Sequence, residues 1–184
     1  MKGATIGIMT LFVLSVQPAD GRDDVSQVTV SICLEAGLIQ TGLAERVASG
    51  IFADMGVKLD WLHGKRCPAD ALIITLTVNT PGGLMPGAVA YAQPYEGRHV
   101  RVFYDRVSST LGVFPKSDVP KILGHVLAHE IGHMLQRTVR HSETGVMKAH
   151  WTAVDYKSMA VRPLPFTEED VQLILAGVGQ PARK

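Results

Sequence analysis

The chain has 184 residues, with 18 basic against 17 acidic side chains and a net charge of +1 at pH 7. That balance, with no run of basic residues, excludes a nucleic-acid binder held by phosphate contacts. There are no repeats or low-complexity tracts, so residues 20–184 read as one domain long enough to bury a real core.

At the start, Lys2 and the apolar run from Ala4 to Val16 are too short for an ordinary membrane span and read as the core of a signal peptide over residues 1–19. Export, to a secreted or periplasmic location, is the expectation. Gln17-Pro18-Ala19 lacks the small residue expected three before a cut, so retention as an N-terminal anchor stays open; otherwise no membrane contact is expected. In an exported protein Cys33 and Cys67 could form a disulfide, or remain two buried thiols.

Val28 to Leu34 predicts a buried strand, and Thr41 to Met55 a helix with Leu43, Val47, Ile51 and Phe52 on one face. Val57 to Leu62 and Ala71 to Val78 predict two more strands, the second nearly continuous in apolar residues, as in a sheet covered on both faces. Thr80 to Gly87 is dense in turn formers and reads as a flexible rim. The next residues, through Ala92 and Gln93, read as a short strand that Pro94 stops, which suits a sheet edge. His99 to Tyr104 alternates into a last strand. Apolar residues from Val119 to Leu135 then recur at spacings of three and four, an amphipathic helix with Asp118 as its N-cap and Pro120 in its first turn. Thr152 caps a brief helix running to Met159. Thr167-Glu168-Glu169-Asp170 starts a closing helix that turns Val171, Ile174 and Leu175 inward.

The amphipathic helix carries the chemistry. His129 and His133 stand four apart, so their rings lie one turn apart on one face and can converge on a single ion. Glu130 points beside such an ion, where a carboxylate acts as general base toward metal-bound water. Imidazole ligands in tetrahedral geometry point to Zn2+, and a catalytic zinc takes three protein ligands and keeps one position for water. His141 is the expected third ligand, delivered by a short loop after the helix ends near Arg137 or Thr138. His150 and Asp155 are alternatives in a different zinc architecture. His125 extends the ladder to i, i+4, i+8, but one straight helix cannot wrap three side chains around one tetrahedral ion, so it reads as core, a partner behind a ligand, or partly exposed.

With His141-Ser142 and Gly145-Val146-Met147 downstream, the segment His129 to Met147 resembles the metzincin clan of zinc endopeptidases, and within it matrixin-type catalytic domains. The run from His125 through Trp151 also resembles a group of exported bacterial proteins with the same zinc signature. The resemblance implies an α+β, metzincin-like fold: a twisted mixed sheet with an edge strand, a backing helix, the zinc helix and a small helical C-terminal part. It further implies that Met147 lies in a turn under the metal, that Lys148-Ala149-His150-Trp151 walls a substrate pocket, and that the edge strand pairs with an extended peptide. The chain departs from the clan spacing. The position of its glycine holds Gln136, that of its third histidine holds Val139, and the histidine comes two residues later, at His141.

The expected function is therefore zinc-dependent hydrolysis of peptide bonds, with a peptide or protein substrate and a monomeric enzyme. Two alternatives stand beside it: an exported zinc-binding module that recognises peptide without cutting it, and a zinc hydrolase acting on cell-wall peptides.

Overall fold

The computed structural model describes residues 27–178 apart from 38, 65 and 110–114, so the expected leader, residues 1–19, lies outside the described residues. Five strands form one sheet: β1 (Val28–Glu35), β2 (Val57–His63), β3 (Leu72–Thr77), β4 (Ala90–Ala92) and β5 (His99–Phe103). Their spatial order is β2-β1-β3-β5-β4. The first four in that order run parallel, and β4 lies antiparallel on the edge against β5. The helices are α1 (Gly42–Ala53), α2 (Tyr104–Ser109), α3 (Val119–Gln136), α4 (Ala153–Val161) and α5 (Glu168–Val178).

The core lies between one sheet face and the helices α1 and α3. Alternate strand residues point into it: Ile32 and Leu34, Val57 and Leu59, Ile74 and Leu76, Val100 and Val102 are all buried. The opposite face of β3 carries Ile73, Thr75 and Thr77, all part exposed, so the sheet is not covered on both sides there. The apolar run of β3 reflects its central place between β1 and β5, where β-branched residues pack against neighbours on both sides.

In α1 the inward stripe is Ala44, Ala48, Ile51 and Phe52, while Leu43 stays 37% exposed. Two alanines hold the centre because α3 comes very close: a Cβ on Gly124 would lie 2.6 Å from Val47 Cβ and 2.8 Å from the Ala44 carbonyl. Small residues on both helices permit that approach. Leu175 is likewise 44% exposed, and Ile174 is the one apolar residue fully buried on the closing helix α5.

Asp118 makes no side-chain cap. A 3-10 turn over Lys116–Asp118 precedes α3, which leaves the Asp118 backbone helical, and its carboxylate pairs with Lys121 at 3.4 Å instead. The helix α2 was not legible in the alternating pattern that runs into Asp105. Thr152 does cap α4, in a reciprocal capping box with Asp155.

Cys33, facing away from the core on β1, is joined to Cys67 across 34 residues. Closing a loop of that size stabilises by about 3 to 4 kcal/mol, mainly by restricting the unfolded chain. Denaturant melts with and without reductant should differ by that amount; coincident melts would mean that the sheet holds the loop without help.

Candidate metal centre

α3 positions two of the three histidines and the glutamate. His129, Glu130 and His133 are all buried, although polar, on the face of α3 that looks toward β4. His129 Nδ1 lies 2.8 Å from the Val146 carbonyl, and His133 Nδ1 lies 2.9 Å from the Thr138 carbonyl. A carbonyl only accepts, so each Nδ1 carries the proton and each Nε2 presents a lone pair. Those two Nε2 atoms face each other at 3.0 Å. Two lone pairs at that distance repel unless a cation lies against both.

His141 completes the cluster. Ligand atoms of His129, His133 and His141 all lie within 4.8 Å of one another. The His141 ring sits 5.3 Å from that of His129 and 4.8 Å from that of His133, on the open side. Burial pulls His129 down to about 3 and His133 to about 4, and His141 is lowered by the same cause, with His150 adding to it. All three rings are thus neutral at pH 7, the form that binds metal. Three neutral imidazoles with one face open fit Zn2+.

Glu130 Oε2, buried, has no hydrogen-bond partner among the described residues, and burial pushes the carboxyl up to about 8. A buried acid with an idle oxygen is costly. Here it borders the same cleft as the histidines, where a cation and its water would supply the missing partners.

His125 is excluded from the cluster by its own bonds. Its Nδ1 donates to the Lys121 carbonyl at 2.8 Å, and its Nε2 accepts the Leu164 N–H at 3.0 Å, so no lone pair remains for a metal. Wholly buried, it ties α3 to the strand of chain leading into α5. Asp155 is occupied in the α4 cap and by Lys148 at 2.7 Å. His150 is exposed on the cleft wall, outside the three-histidine group.

The displaced third histidine is reached by a turn that does not need glycine. Arg137 itself adopts the left-handed conformation, φ 54° and ψ 37°, and its N–H closes on the His133 carbonyl. The chain then passes Val139 and Arg140 to His141. Asp170, fully buried at the start of α5, holds this strap: it accepts from Ser142 Oγ at 2.7 Å, from Gln136 Nε2 at 3.3 Å and from Thr167 Oγ1 at 2.7 Å. Arg140 bridges Asp170 and Glu169, and its other nitrogen reaches the His141 carbonyl at 3.1 Å. Burial works to raise the Asp170 pKa, but the Thr167 and Ser142 bonds and the Arg140 charge outweigh it, so the carboxyl stays below its usual range. Gln136, at the clan's glycine position, is therefore part of the anchor.

Under the cluster, Met147 is fully buried. A Cβ on Gly132 would lie 2.7 Å from Met147 Sδ, so glycine between the histidines is what lets this turn press against α3. The same turn supplies the Val146 carbonyl that orients His129.

The histidines and Glu130 line a cleft of about 590 Å³. Pro86 to Ala92 border one side; Lys148, Ala149, His150 and Trp151 wall the other, as expected, joined by Tyr156 and Val139. Trp151 stacks edge-on against His129 at 5.7 Å and against Tyr156 at 6.2 Å. Asp170 and Arg140 are not singled out as site residues by the sequence, whereas Tyr156, which could hydrogen-bond a tetrahedral intermediate but reads from sequence as a packing residue, lines the cleft. For Asp170 the available signal was Thr167-x-x-Asp170, a local cap pattern, whereas its partners Ser142 and Arg140 lie 28 and 30 residues away.

No family model matches the chain, and no curated protein matches it. Among solved structures it is similar to archaemetzincin from Methanopyrus kandleri, at 18% identity over 83% of this chain and 97% of the other, with a TM-score of 0.54. It is also similar to a zinc-dependent peptidase from Methanocorpusculum labreanum strain Z, at 12% identity over 78% and 99%, with a TM-score of 0.55. At these identities the likeness is one of fold. The chain has a zincin, metzincin-like α+β fold, and its three-histidine cluster fits a Zn2+ cofactor. No helix among the described residues is long and apolar enough to cross a membrane.

Proposed function

We propose that the chain is a zinc-dependent endopeptidase in which His129, His133 and His141 hold the metal and Glu130 is the general base. The observation that carries this reading is the pair of bare Nε2 atoms at 3.0 Å, with His141 closing over them and Glu130 beside them in an open cleft. Bound zinc would supply an acidified water and polarise the scissile carbonyl. Glu130 would take the proton from that water and pass it to the leaving amine. The similarity to archaemetzincin and to a zinc-dependent peptidase supports the same class.

The edge strand supports a peptide substrate. β4 pairs with β5 in the register Ala90↔Val102 and Tyr91↔Arg101, and the Phe103 N–H donates to the Val89 carbonyl. In an antiparallel ladder this turns the N–H and C=O groups of Val89 and Tyr91 toward β5, and those of Ala90 and Ala92 outward. An extended peptide can pair with those two residues and lie across the metal. Closer kinship with matrixins, as His141-Ser142 and Met147 suggest, and export, as the leader and the Cys33–Cys67 disulfide suggest, are part of the same proposal.

The test is zinc per chain by elemental analysis for the wild type and His141→Ala, with cleavage of a peptide library by both. Stoichiometric zinc and cleavage in the wild type, with both lost in the variant, is the expected result. Undiminished zinc in His141→Ala would place the third ligand elsewhere; tight zinc with no cleavage of any peptide would favour a binding module.

A further inference from the structure

The loop expected as a flexible rim, Thr80 to Gly87, runs on through Ala88 and Val89 into β4 at Ala90, and one side chain gathers four carbonyls along this stretch. Arg106, on α2, sends one guanidinium nitrogen to Met85 O at 2.7 Å and Ala88 O at 2.8 Å, and the other to Leu84 O at 2.6 Å and Pro81 O at 3.2 Å. The neighbouring Asp105 carboxylate holds the start of the loop, accepting the Thr80 N–H and hydroxyl, each at 2.8 Å. Met85 is kept at φ 43°, a left-handed conformation that a methionine avoids unless its surroundings impose it.

The guanidinium also lies 4.6 Å from the centroid of the Phe103 ring, and Phe103 contacts Tyr91 at 5.9 Å. Phe103 ends β5, and Tyr91 is the middle residue of β4. The same side chain therefore fixes the loop before β4 and touches the aromatic pair that joins β4 to β5. β4 has three residues and pairs with β5 along one edge. So short a strand cannot hold its own line, because its few ladder bonds do not offset the entropy of ordering it.

From this geometry we infer that Arg106 is a positioning residue for substrate: it aligns the outward N–H and C=O groups of Ala90 and Ala92 with the metal centre. The inference rests on the proposed peptidase reading and concerns the substrate rim of that site. Arg106 does not line the cleft. Its effect is on peptide binding along β4 and not on the metal or on the general base.

The experiment compares two zinc-directed probes on the zinc-loaded full chain. Acetohydroxamate touches the metal alone; N-acetyl-trialanine hydroxamate also needs the edge strand. For Arg106→Gln, zinc content and acetohydroxamate affinity should match the wild type, while the peptidyl probe weakens on the order of tenfold, equivalent to about 1.4 kcal/mol. If Arg106→Gln melts too low to assay, Arg106→Lys is measured in the same way. It keeps the charge near Phe103 but offers one nitrogen where the four carbonyls are served by two, so the same split is expected. Unchanged binding of the peptidyl probe, or equal loss of both probes, overturns the inference. A wild type that holds no zinc, or binds neither probe, would instead overturn the peptidase reading beneath it.

Discussion

Glu130→Gln is expected to keep zinc and to cut peptide hydrolysis by on the order of a hundredfold or more, the usual contribution of a positioned general base. The amide fills the same volume, and Glu130 makes no bond through Oε2 whose loss would disturb α3. Zinc per chain and kcat/KM, measured together, check this; a variant cleaving at the parental rate would remove Glu130 from the mechanism. The metal-free proteins should also differ in their response to pH. Burial raises the Glu130 carboxyl from 4.5 to about 8, so between those values the folded state holds a proton that the unfolded state has released. Stability conferred by the protonated acid is present below pH 4.5 and is lost as pH rises toward 8. Relative to Glu130→Gln, the metal-free wild type should therefore lose stability across that window, and parallel melting curves would contradict the assignment.

The second large effect is expected at Asp170. Asp170→Ala removes the acceptor shared by Ser142, Gln136 and Thr167, and leaves Arg140 and those donors facing a void. Breaking a buried charged network of this kind costs about 3 kcal/mol, and the loss falls on the strap that carries His141. Denaturant midpoints should drop accordingly, and zinc should dissociate at chelator concentrations that the wild type tolerates. Asp170→Asn, which keeps the shape without the charge, should fall between. Retention of zinc at wild-type affinity in Asp170→Ala would show that His141 is placed without this anchor.

The parts of the fold legible in the sequence are those whose period is local. The strands β1, β2 and β5, the amphipathic repeat of α3 and the Pro94 stop on β4 were read to within a residue or two, since each is written in adjacent side chains. His129, Glu130 and His133 were legible for the same reason, being one turn of one helix. What escaped depended on distant partners. The Asp118 cap failed because a preceding 3-10 turn was not foreseen, and Leu43 and Leu175 read as core because periodicity does not say how close a neighbouring helix comes. His125 matched the ligand spacing, yet its fate was decided by the Leu164 N–H, 39 residues away. The ordered rim likewise depends on Arg106, 18 to 25 residues beyond the carbonyls it gathers.

The main-chain carbonyls behind His129 and His133 have a consequence of their own. A carboxylate in either place would lend negative charge to the ring and blunt the electrophilicity of a coordinated ion. Val146 O and Thr138 O contribute dipoles but no formal charge, so three neutral rings would present a dication at full strength, which favours hydroxide at a lower pH. Because both acceptors belong to the backbone, side-chain substitution at Val146 or Thr138 does not delete them, and the tautomers they impose are sheltered from most single-residue drift.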